Sequence, residues 1–178
     1  MRGLFMSTSE NIKLLHHSLR QLEKKGGYDA DKYAQSLLQM TKELEFFYCK
    51  KAKGKNPDHI YYYLNRRPME HSLAYFNLSR GYPKELMDGH WCYVVKDFGV
   101  KMLIVPCTSL KEESKDVDGR FQKDIEIICE NKHMNVRLQI TDMRCVDVMR
   151  LDERKPFYQV VNQQEEIHDY IISRIFDN

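Results

Sequence analysis

The chain has 178 residues, 42% of them hydrophobic and 11% aromatic, with a formal net charge of +2. That composition supports one compact domain with an appendage and excludes wholesale disorder. No apolar run approaches the ~20 residues of a membrane-spanning helix, so no membrane partner is expected. The five cysteines, Cys49, Cys92, Cys107, Cys129 and Cys145, are odd in number and form no C-x-x-C pair. They read as reduced thiols, with Cys92, Cys107 and Cys129 inside apolar strand-like runs. The seven histidines show no metal-ligand spacing, and neither metal nor cofactor is expected. The segment Met1–Glu10 lacks the apolar core of a signal peptide, so the expected location is the cytoplasm.

Charge is uneven along the chain: residues 1–89 carry 15 Lys/Arg against 10 Asp/Glu, and the remainder 13 against 16. The excess is sharpest at Lys50, Lys51, Lys53, Lys55, Arg66 and Arg67, opposed only by Asp58. Such a run suits phosphates, or is an ordinary solvated helix end and loop.

The first predicted element is a helix capped by Ser9, with Ile12, Leu15, Leu19 and Leu22 on one stripe and Gly26-Gly27 as its stop. A second helix starts near Asp29 or Asp31 and repeats Tyr33, Leu37, Met40, Leu44 and Phe47, ending in the basic run and Pro57. A short Gly-containing connection predicts a helical hairpin, serving as a packing appendage or a partner interface. Asn56–Arg67 is a polar, aromatic connector in which Tyr61, Tyr62 and Tyr63 read as packing residues. From Glu70 the period becomes extended. Strands are predicted at Leu73–Leu78, Trp91–Val95 and Met102–Val105, the last two joined by a tight turn at Asp97–Gly99. Leu110–Gln122 is charged and reads as a mobile loop. Asp124–Cys129 and Asn135–Ile140 alternate as strands, and Cys145–Leu151 is extended or mixed. Asn162 is the expected cap of a final helix, with Glu165 as its capping-box partner and Ile167, Tyr170, Ile171 and Ile175 as its buried face. About six short strands followed by a helix predict a strongly curved sheet or partly closed barrel.

Three stretches carry a family resemblance. Lys84-Glu85-Leu86-Met87-Asp88-Gly89-His90-Trp91-Cys92-Tyr93-Val94-Val95 looks like a loop with a Glu leading through a polar residue into an apolar strand. Val105-Pro106-Cys107-Thr108-Ser109 is a strand followed by Pro, any residue, Thr and Ser. Ile140-Thr141-Asp142-Met143-Arg144-Cys145-Val146, continuing to Arg150, resembles a Gln-Ile-Arg segment with a second Arg beyond it. In this order, over about residues 70–176, they resemble the PemK/MazF toxins. Thr108-Ser109 followed by Lys111 also resembles the RNA-inhibited ToxN toxins. The resemblance implies an SH3-like PemK/MazF barrel with a C-terminal helix (residues 67–178); joined to the N-terminal helical hairpin extension read from periodicity (residues 1–66), it makes the expected fold class α+β. It implies a homodimer that cleaves single-stranded RNA without metal and is controlled by an antitoxin, either a protein or an RNA as in ToxN-type systems.

Metal-free RNA cleavage uses the ribose 2′-OH as nucleophile and needs a proton acceptor, a proton donor to the leaving 5′-oxygen, and stabilisation of phosphorane charge. His90 is the candidate acid or base, standing where the family often has an Arg. Thr108 is a candidate donor to phosphate, and Arg144 a candidate charge stabiliser, since a guanidinium holds two phosphate oxygens at once. Glu85, Ser109, Lys111 and Asp142 are candidate substrate contacts, with Asp142 in place of the family Gln and suited to orienting Arg144. Each has an ordinary alternative: Ser and Thr make local turns, Arg144 can pair with Asp142 or Asp147, and a loop carboxylate is usually solvated. The alternative function is a non-catalytic barrel module that binds RNA or protein and is regulated by its helical extension.

Overall fold

The structure, a computed structural model, describes residues 7–52, 56 and 61–176. Lys53, Lys55, Pro57 and Asp58 of the basic run lie outside the described residues. The chain divides into two compact units, Met1–Lys53 and Gly54–Asn178.

The first unit holds α1 (Thr8–Lys25) and α2 (Ala30–Phe46). The cap of α1 is Ser7, not Ser9, because only Ser7 has a glutamate three residues on. Its Oγ accepts from Glu10 N (3.3 Å), and the Glu10 carboxylate accepts from Ser7 N (2.7 Å), closing a capping box. Donation from Ser7 N and from the Ser7 hydroxyl (2.8 Å) holds the Glu10 carboxyl below the usual carboxylate range. Asp29 caps α2 through Lys32 N (2.9 Å). After α2 the backbone widens into one π turn, Phe47–Lys51. The expected apolar stripe is only partly covered: α1 has no buried residue, and Ile12 and Leu22 are exposed.

The second unit is a closed antiparallel barrel of six strands with a seventh strand added: β1 Ser72–Asn77, β2 Gly89–Asp97, β3 Lys101–Ser109, β4 Gln122–Cys129, β5 Lys132–Gln139, β6 Arg144–Asp147 and β7 Tyr158–Val160, then α3 Gln164–Phe176. The ring runs β2-β1-β7-β4-β5-β3 and closes through β2–β3, while β6 adds to the outer edge of β3. Two tight hairpins set the register. Between β2 and β3, Gly99 takes φ 88° and donates to the Asp97 carboxylate (2.7 Å). Arg67 pairs with the same carboxylate and with the Gly99 carbonyl. Between β4 and β5, Glu130 and Asn131 both have positive φ (48° and 64°), the two-residue turn whose twist matches the strands.

Two cores follow from strand alternation. The inner one takes Leu73, Tyr93, Val105, Ile125, Leu138 and Val160, one from each barrel strand, and α3 adds Ile167 and Ile171. The outer one lies on the opposite face of β1–β3, where Ala74, Phe76, Cys92, Val94, Met102 and Ile104 meet Val146, Val148 and Leu151. Tyr62 and Leu64 of the connector pack on this second core, while Tyr61 and Tyr63 are exposed. Three local expectations change. β7 is a ring strand that the sequence did not predict, because it is too short to show periodicity. Asn162 does not cap α3; its side chain accepts from Glu126 N (2.7 Å), and Ile167 N donates to the carbonyl of Gln163 (3.3 Å). Residues 110–121 form no strand but are anchored by Arg137 Nη1 on the Lys115 carbonyl (2.6 Å) and Tyr170 OH on the Gly119 carbonyl (2.7 Å).

His71 stands at φ 61°, and its Nδ1 lies 2.9 Å from the hydroxyl of fully buried Tyr93. Burial, with His168 adding to it, holds the imidazole below its ordinary value against the pull of the Asn162 carbonyl and Glu165. A histidine with a depressed folded pKa contributes stability that is present above its unfolded value of about 6.5 and is lost as pH falls below it. The melting temperature should therefore drop between pH 7.5 and 5, and less steeply in His71→Gln. Equal slopes in the two proteins would contradict this.

Candidate functional site

Strand pairing puts the chemistry-bearing side chains on one face. Directly opposed residues of an antiparallel pair share a face, and alternate residues along a strand do too. Cys92 opposes Pro106, Ile104 opposes Arg144, Thr108 opposes Arg137, Arg137 opposes Asp124, and Gln139 opposes Gln122. His90, two residues before Cys92, joins the set. All of these lie on the outward face that carries the second core. Beyond Pro106 that core ends and the face becomes polar.

Three of the sequence candidates lie on this face. His90 is half-buried and directs Nδ1 at the Cys107 carbonyl (3.4 Å), next to Thr108. A carbonyl only accepts, so the contact requires a proton on Nδ1 and leaves Nε2 as the bare nitrogen of the neutral ring. Thr108 Oγ1 accepts from Gln139 Nε2 (2.9 Å). Arg144 donates from Nε to the Asp142 carbonyl (3.2 Å) and from Nη2 to the Asp142 carboxylate (3.2 Å) and the Leu86 carbonyl (3.4 Å). Burial pushes the Cys92 thiol up, with Cys107 adding and Arg144 opposing, so the guanidinium stands within electrostatic reach of β2.

Asp142 ties this rim to the β1–β2 loop. Its carboxylate accepts from Leu86 N (2.9 Å) as well as from Arg144. The carboxylate and guanidinium thus hold both polar groups of the Leu86 backbone. The same loop is fixed at its base by Arg150, which donates to the Asn77 carbonyl (3.1 Å) and Ser79 Oγ (2.7 Å), and by the two-bond Arg80–Asp88 pair. Gly89 closes the loop against the ring of Tyr75, where a Cβ would collide with the phenol.

The other candidates are dispersed. Glu85 turns back on its own loop, accepting from Tyr82 N (3.1 Å). Ser109 is exposed at the end of β3, opposite Val136. Lys111 is exposed, its backbone closing a turn with Ser114. Sequence reasoning did not single out Gln122, Gln139, Asp124 and Arg137. Gln122 Nε2 donates to Gln139 Oε1 (3.0 Å). Arg137, only 8% exposed, makes a two-bond pair with Asp124 (2.6 and 2.9 Å). The polar–apolar–polar order Arg137-Leu138-Gln139 was the available signal: it puts Arg137 and Gln139 on one face. A cleft of about 690 Å³ lies elsewhere, along the start of β1 and β7, lined by His71, Ser72, Phe157, Tyr158 and Gln164 among others. Among the described residues no group of three His, Cys, Asp or Glu could hold a metal ion, and no helix is long and apolar enough to cross a membrane. The chain matches no family model, and no curated protein sequence matches it either.

Asp142→Ala leaves Leu86 N and Arg144 without their carboxylate. Charge-assisted hydrogen bonds of this kind are worth about 1.5–3 kcal/mol. We expect a loss of about 2 kcal/mol in chemical denaturation and faster hydrogen exchange at the Leu86 amide. An unchanged Leu86 amide would show that the loop is held by something else.

Proposed function

We propose that this protein is a PemK/MazF-type toxin: an SH3-like barrel that cleaves single-stranded RNA without metal, works as a homodimer, and is neutralised by an antitoxin, protein or RNA. The observation that carries this reading is that His90, Thr108 and Arg144 share the outward face and each keeps one polar group unengaged among the described residues. These are His90 Nε2, the Thr108 hydroxyl proton and Arg144 Nη1. The six-stranded closed barrel supports the fold reading.

In this mechanism the ribose 2′-OH gives its proton to His90 Nε2 as its oxygen attacks the adjacent phosphorus. The bond from phosphorus to the 5′-oxygen breaks, and that oxygen takes up a proton from water as it leaves, while the protonated His90 returns its proton to solvent afterwards. The products are a 2′,3′-cyclic phosphate and a 5′-hydroxyl. Thr108 donates to a non-bridging oxygen, and Arg144 Nη1 faces the charge that develops there. Asp142 offsets part of the Arg144 charge and in return holds it in place.

One observation favours the alternative, a binding module without catalysis: Arg144 already makes three bonds inside the protein, which gives it a structural occupation.

Purified protein incubated with a long single-stranded RNA in excess EDTA separates the two. Discrete cuts bearing cyclic phosphates are expected. Removing one positioned hydrogen-bond donor typically costs 10²- to 10³-fold, and removing a general acid or base about 10²- to 10⁴-fold. Losses of at least ~10²-fold are therefore expected in Thr108→Val and His90→Ala. Intact RNA with salt-sensitive binding would establish the module as an RNA binder, and intact RNA without binding would sink the cleavage reading and leave the module with a protein partner.

A further inference from the structure

The side chains behind Thr108 form a chain of hydrogen bonds whose direction is set at one end by the backbone. Asp118 N donates to Gln122 Oε1 (3.1 Å). A backbone N–H can only donate, so the Gln122 amide must present oxygen to Asp118 and nitrogen to the other side. Gln122 Nε2 then donates to Gln139 Oε1 (3.0 Å), which fixes the Gln139 amide in turn. Gln139 Nε2 donates to Thr108 Oγ1 (2.9 Å). Every amide orientation is therefore dictated by the one before it. At the end of the chain the Thr108 oxygen is an acceptor, and its own proton has no partner among the described residues.

The anchor of this chain is itself held. Gln122 N donates to the Asp118 carbonyl (2.8 Å), so Asp118 and Gln122 bond reciprocally. Tyr170 of α3 donates its hydroxyl to the carbonyls of Gly119 (2.7 Å) and Gln122 (2.6 Å). Gln122 and Gln139 are half-buried and directly opposed in the β4–β5 ladder.

We propose that Gln139, oriented by Gln122, is a positioning residue that keeps the Thr108 hydroxyl an outward proton donor, aimed at a phosphate oxygen of RNA. The proposal rests on the cleavage reading above. A threonine hydroxyl is otherwise free to rotate and to spend its proton on a neighbouring carbonyl. With its oxygen already accepting from Gln139, the proton is left for an acceptor at the rim. The arrangement is preorganised, which is where hydrogen-bond donors gain their value in a transition state. RNA phosphate is the acceptor that Arg144 Nη1, on the same face, would also recognise.

The test is to reverse the chain. Gln139→Glu keeps the shape but at neutral pH offers only acceptors, so Thr108 must donate inward. We expect kcat to fall to the level of Thr108→Val, on the order of 10²-fold, with KM within about twofold. The double variant Thr108→Val/Gln139→Glu should be no slower than either single one. As pH falls toward 5 the new carboxyl regains a proton to donate, so the ratio of Gln139→Glu activity to wild-type activity should rise. That ratio is the signature a merely structural role would not produce. Equal activity of Gln139→Glu and wild type at pH 8, or losses that multiply in the double variant, would overturn the proposal. Wild-type protein that leaves RNA intact would instead remove the cleavage reading, and the positioning role with it. The two failures are distinguishable, because the first is seen only in a wild type that cuts.

Discussion

Strand β3 is the constraint on which the rest of the second unit depends. One of its edges is bonded to β2 through Met102–Pro106. The other edge is bonded first to β6 (Lys101–Ile104) and then to β5 (Cys107–Ser109). The change of partner falls at Val105-Pro106, where proline has no N–H to offer a ladder. Both faces of the strand are covered as well, with Val105 and Cys107 inside the barrel and Met102 and Ile104 in the outer core. A strand with both edges paired and both faces buried has little freedom to shift register, since one step would exchange the two faces. Thr108 and Ser109, emerging from its end, inherit that rigidity.

The outward face is apolar for as long as β6, the turn after it and the connector cover it. It turns polar where that cover stops. The change of character is abrupt because both parts sit on the same strands: Met102, Ile104 and Pro106 are buried, and Thr108 two residues on is half-exposed. The polar groups there are not loose surface residues. Asp142 and Arg144 grip the backbone of Leu86, Arg137 is buried against Asp124, and the two glutamines brace Thr108. Rigid elements therefore hold the polar groups of this rim in place.

Much of this was legible before the structure. The change from helical to alternating period at Glu70 marks the start of the barrel, and the runs around Tyr93, Ile104, Ile127 and Leu138 are strands because their alternation matches two buried faces. The last helix was readable from Ile167 and Ile171. What was not legible depended on pairing or local geometry. Tyr158–Val160 is a strand only because β1 and β4 flank it. Asn162 looks like a cap by spacing, yet its side chain is claimed by Glu126 N across the sheet. Ser9 reads as a cap by its spacing from the apolar stripe, yet the cap is Ser7, which has Glu10 three residues on. For the site, alternation alone could place Arg137 and Gln139 on one face. The bond from Gln139 to Thr108 required knowing that β3 and β5 are neighbours, which local periodicity does not reveal.

The most direct measurement is an NMR titration of the full chain with a single-stranded oligoribonucleotide blocked by 2′-O-methyl groups, so that it binds without being cut. If RNA phosphate sits on the outward rim, the largest shifts fall at His90, Thr108, Gln139 and Arg144, and they weaken with added salt. Shifts confined to the cleft at His71, Phe157 and Tyr158, with the rim unmoved, would contradict that placement.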